Sequence, residues 1–340
     1  MIKIKKLSIL VLVLFLAACS EDENVYMDLD NPEIELPIPS GFLAWNSAAL
    51  KNRPTKYGAE LGEKLFTDKR LSKDNSISCA SCHIQASAFA DHNPKAVGIE
   101  GRIGLRNTPP IQNLLFMKSY NWDGSKLQLE NQPIVPIITH EEMNSSILEV
   151  IEKISSDIGY KVLFKKVFGD ETITPERIYK SIAQYEYTLI SADSKYDRVK
   201  QDKEKFTILE SYGYEVFTQK CISCHSGALF TDQSFRNIGF PVNIDTNEAG
   251  RARVTGNLAD YMSFRVPSLR NIEYTAPYGS FGQFASLKEL LDYMNNGVLE
   301  AENLDSFFKD NGNRIPLSEA EKEALVAFML TLSDKNFISR

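Results

Sequence analysis

Apolar residues recur at helical spacing in several stretches, each opened by a residue suited to cap a helix. Thr174-Pro175-Glu176 is an N-cap with proline in the first turn, and Ile178, Ile182, Tyr185 and Leu189 follow on one face. Ser286 with Glu289 and Ser318 with Glu321 read as capping boxes. The helices they open carry the stripes Leu287, Leu290, Leu291, Met294 and Leu325, Phe328, Met329, Leu332. Stretches 93–113 and 238–282 hold prolines and glycines and read as long loops, which in a compact chain usually wrap or serve a site. The N-terminus departs from this pattern. Met1 to Lys6 carries three lysines and no acid, and Leu7 to Leu16 is almost purely apolar. That run is too short for a spanning helix of about 20 residues and predicts a signal peptide over 1–18. Pro32, Pro37 and Pro39, with no helical period around them, predict an extended tether over 19–41, and the folded part begins near Phe42.

Composition adds bounds. A chain of 340 residues, 43% hydrophobic and 24% charged, has room for two domains with real cores. A net charge of −7 without a long Lys/Arg run argues against nucleic acid as a partner. The five cysteines are the informative feature, because an odd count assigns at least one to something other than a disulfide. Leu16-Ala17-Ala18-Cys19 resembles a bacterial lipobox, so Cys19 is the expected lipidated N-terminus. The chain is then expected to be anchored to a bacterial membrane, with the outer membrane favoured and its periplasmic side or the cell surface left open. Removing residues 1–18 takes away Lys3, Lys5 and Lys6 and no acid, which moves the net charge to −10.

The other four cysteines form Cys79-Ala80-Ser81-Cys82-His83 and Cys221-Ile222-Ser223-Cys224-His225. Two thiols at this spacing can add to the two vinyl groups of one haem while the adjacent histidine reaches the iron. Disulfides, a zinc site and a redox-active CxxC compete with this reading. Zinc fails because 138 residues lie between Cys82 and Cys221, where a zinc ribbon needs about 15–20. A thioredoxin-like site would not need histidine after both pairs. Two covalent c-type haems are therefore expected, with His83 and His225 as iron ligands.

The surroundings repeat as well. Leu61-Gly62-x-x-Leu65-Phe66-Thr67 precedes the first CxxCH and Tyr212-Gly213-x-x-Val216-Phe217-Thr218 the second, and Phe89-Ala90-Asp91 and Phe230-Thr231-Asp232 follow them. This predicts a mainly α protein of two cytochrome c-like haem domains with long loops, over 42–200 and 201–340. The last helix, about 318–332, is expected to pack back on the first domain. Function then turns on the sixth iron position: a strong ligand makes a pure electron carrier, an open position admits peroxide. His92 and His140, in polar loops, read as surface residues. Met294, on its apolar stripe, reads as core or as an axial ligand.

From about Leu61 to about Gly297 the chain resembles the bacterial dihaem cytochrome c peroxidases and their relatives that mature methylamine dehydrogenase. The markers, besides the two CxxCH sites, are Arg70-Leu71-Ser72, Arg106-Asn107-Thr108-Pro109, Trp122-Asp123-Gly124, Glu142-Met143, Arg265 to Asn271 (RVPSLRN) and Thr275-Ala276-Pro277-Tyr278. The resemblance implies haems that face the domain interface, a peroxidatic haem on His83 and an electron-entry haem on His225 with Met294 as its second axial ligand. The maturation branch has tyrosine there. Tyr293 lies one position early and points about 100° away on a helix, which favours an electron-accepting haem. Trp122 matches an inter-haem electron relay, Glu142 the distal acid and Gln132 a distal amide. Asn107, Thr275 and Pro277 match the carbonyl donors of a bridging calcium ion.

Two departures stand out. A histidine that blocks the catalytic haem in many relatives is replaced in Val97-Gly98-Ile99, so that haem is expected to be open in the resting state provided His92 does not swing in. Ser280 replaces the usual histidine after Ala-Pro-Tyr. The expected activity is reduction of hydrogen peroxide to water with electrons from a small c-type cytochrome or cupredoxin, and a homodimer is left open. The alternatives are a dihaem oxidase of a protein or small molecule and a non-enzymatic electron-transfer cytochrome.

Overall fold

Thr55 starts the first long helix, its Oγ1 accepting the Gly58 N–H at 3.2 Å. In the computed structural model, which describes residues 30–241 and 248–339, the first half builds α1 (Lys56–Thr67), α2 (Cys79–Cys82), α3 (Ile134–Ile138), α4 (Ile147–Ser155), α5 (Ile158–Phe168) and α6 (Pro175–Tyr187). The second half builds α7 (Lys195–Lys200), α8 (Ile208–Lys220), α9 (Ala252–Thr255), α10 (Leu287–Asn296), α11 (Ser306–Asp310), α12 (Glu319–Leu330) and α13 (Lys335–Ile338). A two-residue antiparallel pair, β1 (Phe235–Arg236) with β2 (Phe264–Arg265), sets Phe235 opposite Arg265. No helix among the described residues is long and apolar enough to cross a membrane. The leader and Cys19 lie outside the described residues.

The expected caps form with one difference. Thr174 Oγ1 accepts from Arg177 N, and Ser318 and Glu321 complete a reciprocal box. Ser286 caps Glu289 N, but the Glu289 carboxylate turns to Ala285 N at 2.8 Å, so that box is half made.

Two cores follow. In the first, Leu61, Leu65 and Phe66 of α1 meet Ile178 and Ile182 of α6. In the second, Val216 and Phe217 of α8 meet Leu325, Phe328 and Met329 of α12. The glycine of each repeated motif lies at its helix crossing. A Cβ on Gly62 would sit 2.0 Å from the Ser181 carbonyl oxygen, and one on Gly213 would sit 1.9 Å from that of Ala324. The helix expected to return to the first domain therefore packs in the second, because its apolar stripe matches α8; Phe328 and Phe217 have ring centroids 5.0 Å apart. What returns is the segment after it, where Phe337 packs on Phe89 at 5.5 Å in the first core.

The expected tether also differs. From Asp30 it is extended but docked: Ile34 N donates to Pro54 O, Lys56 N to Pro32 O and Tyr57 N to Asn31 Oδ1, while Leu36 packs on the first core. Backbone donors near the start of α1 find their acceptors there.

Candidate functional site

The two CxxCH units are built alike. His83 N donates to Cys79 O and His225 N to Cys221 O, closing one helical turn over each cysteine pair. The histidine rings are then oriented by the motif that follows. His83 Nδ1 lies 2.9 Å from Phe89 O and His225 Nδ1 lies 3.0 Å from Phe230 O. Both phenylalanines adopt left-handed backbone, φ 60° and 53°, which turns their carbonyls back toward the rings. An Nδ1–H held on a carbonyl leaves Nε2 as the lone-pair nitrogen, the orientation an iron ligand needs. Burial lowers the pKa of both histidines, so each stays neutral. Burial also pushes the Cys79 and Cys221 thiols up to about 12, unlike the acidic thiolate of a redox CxxC. Paired thiols, a free imidazole nitrogen and an adjoining cavity fit a covalent haem at each site.

The cavity of the first unit measures about 420 Å³, and Cys79, Cys82, His83, Gln132 and Glu142 line it. Burial, and then the neighbouring Glu141, raises the pKa of Glu142. Its backbone is fixed from the loop that departs from the family pattern: Ile99 N donates to Glu142 O at 2.9 Å, and a Cβ on Gly98 would lie 2.1 Å from Glu141 O. Ile99 itself is buried away from this cavity, whereas Val97 and Gly98 line it. His92 Nε2 is 2.7 Å from Ser87 Oγ and His140 is exposed beside Glu141; neither lines the cavity.

The cavity of the second unit measures about 210 Å³, and Cys221, Cys224, His225 and Met294 line it. Tyr293 is not among its lining residues; its hydroxyl donates to Gly239 O at 2.7 Å. Asn107, Thr275 and Pro277 come together on this wall, where Asn107 O accepts the Trp122 indole N–H at 2.9 Å. Ser280, buried in place of the usual histidine, accepts Asn107 N at 2.9 Å and ties its loop to the same strip.

Asn107, Pro110, Trp122 and Arg265 line both cavities and form the wall between them. Two ionisable groups here, buried Glu186 and half-buried Arg265, carry no mark in the sequence that singles them out. Glu186 of α6 lines the first cavity with its Oε2 unpartnered among the described residues; nothing on its helix face marked it. Arg265 has an unpartnered Nε, and its only signal was membership of the RVPSLRN stretch.

A family profile described as di-haem cytochrome c peroxidase matches residues 56–205. A cytochrome c551 peroxidase of Nitrosomonas europaea is 37% identical over 280 residues, covering 81% of this chain and 79% of the relative. A methylamine utilization protein MauG of Methylophilus methylotrophus is 31% identical over 292 residues, covering 84% and 85%. Among solved structures, a MauG-like protein associated with microbial copper homeostasis superposes with a TM-score of 0.80 at 27% identity, covering 90% of this chain and 97% of that one.

Proposed function

The chain belongs to the di-haem cytochrome c peroxidase family, an oxidoreductase with two haems, and from that premise we propose that it reduces hydrogen peroxide to water with electrons from a small c-type cytochrome or cupredoxin. The observation that carries this reading is the asymmetry of the cavities. A carboxyl and an amide line the one at His83, and a thioether lines the one at His225. The haems, when bound, would supply the redox-active iron for peroxide cleavage and pass on the donor's electrons.

His83, through its free Nε2, would hold the first iron, and His225 and Met294 the second. Glu142 would accept a proton from one peroxide oxygen and return it to the other, which leaves as water. The Gln132 amide orients the peroxide by hydrogen bonding. Two electrons from the donor and two protons from solvent then balance the formation of two waters. Trp122, on the shared wall, carries electrons between the cavities. Asn107, Thr275 and Pro277 supply oxygen donors to calcium at the same wall. Tyr293, engaged with Gly239 outside the second cavity, supports peroxide reduction over oxidation of a protein substrate. Cys19 carries the lipid and holds the protein at the periplasmic side of a membrane or at the cell surface.

The test is stopped-flow mixing of peroxide with half-reduced protein. Glu142→Gln is expected to lose turnover by about 10²–10⁴-fold while both haems stay bound. Met294→Ala is expected to alter the second haem's spectrum and potential. Wild-type protein with both irons saturated and no peroxide turnover would leave a pure electron carrier.

A further inference from the structure

Four arginines lie around the wall between the two cavities, and three are satisfied. Arg106 meets Asp123 at 2.7 Å and Glu248 at 2.8 Å. Arg251 donates to Asp123 O at 2.9 Å and lies over the Phe235 ring. Arg253 is 3.8 Å from Glu248. Arg265 is different: its backbone N–H donates to Trp122 O at 2.7 Å, but its guanidinium makes no hydrogen bond or ion pair among the described residues. Desolvation with no carboxylate beside it depresses its pKa to about 10. It still carries its charge at neutral pH.

The side chain is half-buried, its Nε is shielded with no acceptor, and the rest of the fork opens on the cavities. A partly desolvated, unpaired guanidinium is stabilised when an anion reaches it. No carboxylate of the described chain does so, although Asp123 and Glu248 serve Arg106 on the same wall. An anion that completes the fork would come from a cavity, and both cavities that Arg265 lines are those of the CxxCH units. Each haem carries two propionates. The planar fork of five N–H donors suits carboxylates and can serve one from each side.

We propose that Arg265 is the haem-propionate-binding residue of this protein, a fixed positive charge between the two haems. Beside Trp122 it would stabilise reduced over oxidised haem and so hold the potentials up at the point where electrons cross. This goes beyond the peroxide reading and does not depend on which substrate is turned over.

The experiment compares haem-loaded wild type, R265M and R265K. Haem content is measured first, then the propionate bending bands by resonance Raman, then both midpoint potentials by spectroelectrochemical titration. R265M holding two haems is expected to shift a propionate band and to lower the midpoint of the haem concerned. R265K keeps the charge without the fork, and is expected to shift the band while holding the midpoint nearer wild type. If R265M does not hold both haems, the Raman band of R265K decides. Propionate bands equal to wild type in a variant with two haems overturn the assignment and leave Arg265 to a bulk anion. Absence of peroxide turnover in wild type, by contrast, would remove the proposed activity and leave these readouts intact.

Discussion

A carboxyl group held away from water titrates high, and two such groups line the cavity of the His83 unit. In its proposed role Glu142 has to be ionised to take a proton from peroxide, while burial and Glu141 raise its pKa. The acidic limb of kcat/KM is therefore expected above the ordinary glutamate range, with activity falling as pH drops through it. Glu142→Gln is expected to abolish that limb along with most of the rate, as a pH profile of each protein would read. Glu186 carries the larger shift, from an ordinary 4.5 to about 8, caused by burial and then by Glu130. Its folded-state pKa is raised, so between about 4.5 and about 8 the folded chain holds a proton that the unfolded chain has released. Its contribution to stability is full below 4.5 and is lost as pH rises through 8, with a slope of at most ~1.4 kcal/mol per pH unit. Urea unfolding across that window is expected to show a shallower fall in Glu186→Gln than in wild type. An equal fall in both would mean that the carboxyl ionises freely in the fold.

At the scale of elements, the repeated motif explains itself through contacts that lie far apart in sequence. Gly62 and Gly213 are not turn residues; each is the point at which one long helix touches the backbone of another. An added methyl meets carbonyl oxygens, which cannot rotate away as a side chain tip would. Gly62→Ala and Gly213→Ala are each expected to destabilise by roughly 2–3 kcal/mol, the upper part of the overpacking range, and to lower the thermal midpoint by several degrees. Differential scanning calorimetry would check this, and an unchanged midpoint would mean that the helices separate without penalty. The repeat was legible because both copies share it, and so were the CxxCH units, the caps at Thr174 and Ser318 and the placement of Met294 rather than Tyr293 in the second cavity. Local chemistry decides the units and the caps, whereas the resemblance to the dihaem peroxidases, not the helix pattern, singled out Met294. The partner of α12 was not legible, since its stripe of Leu325, Phe328 and Met329 would suit either core and only the three-dimensional match to Gly213 and Phe217 selects one. The role of the Phe-x-Asp carbonyls was hidden for a related reason. Their use depends on a left-handed backbone at Phe89 and Phe230 that phenylalanine does not advertise.

For the whole molecule the question is how two cavities, each held by its own core, work on one reaction. A buried polar joint keeps the halves in register. Arg270 forks onto Asp197 at 2.8 and 2.9 Å and reaches Ala228 O, while Asp334 accepts from Ser191 Oγ and from the Ala192 and Asp193 backbone. These bonds tie the segment between the cores to the RVPSLRN stretch and to the chain end, so the shared wall has a defined width. Trp122 stands in that wall with both ends pinned: its indole N–H on Asn107 O and its carbonyl on Arg265 N. A pinned aromatic between two redox sites shortens the gap electrons must cross and loses little when its surroundings fluctuate. Trp122→Phe keeps an aromatic ring but removes the indole donor and leaves Asn107 O without that partner. Electron transfer from the His225 side to the His83 side is expected to slow by about tenfold or more, the factor that ~1.4 kcal/mol of barrier represents. Peroxide binding by the half-reduced protein should be unaffected. Stopped-flow oxidation of the second haem reads the transfer separately from the initial peroxide reaction at the first. Equal transfer rates in the two proteins would move the electron path off Trp122 and onto the backbone of the wall.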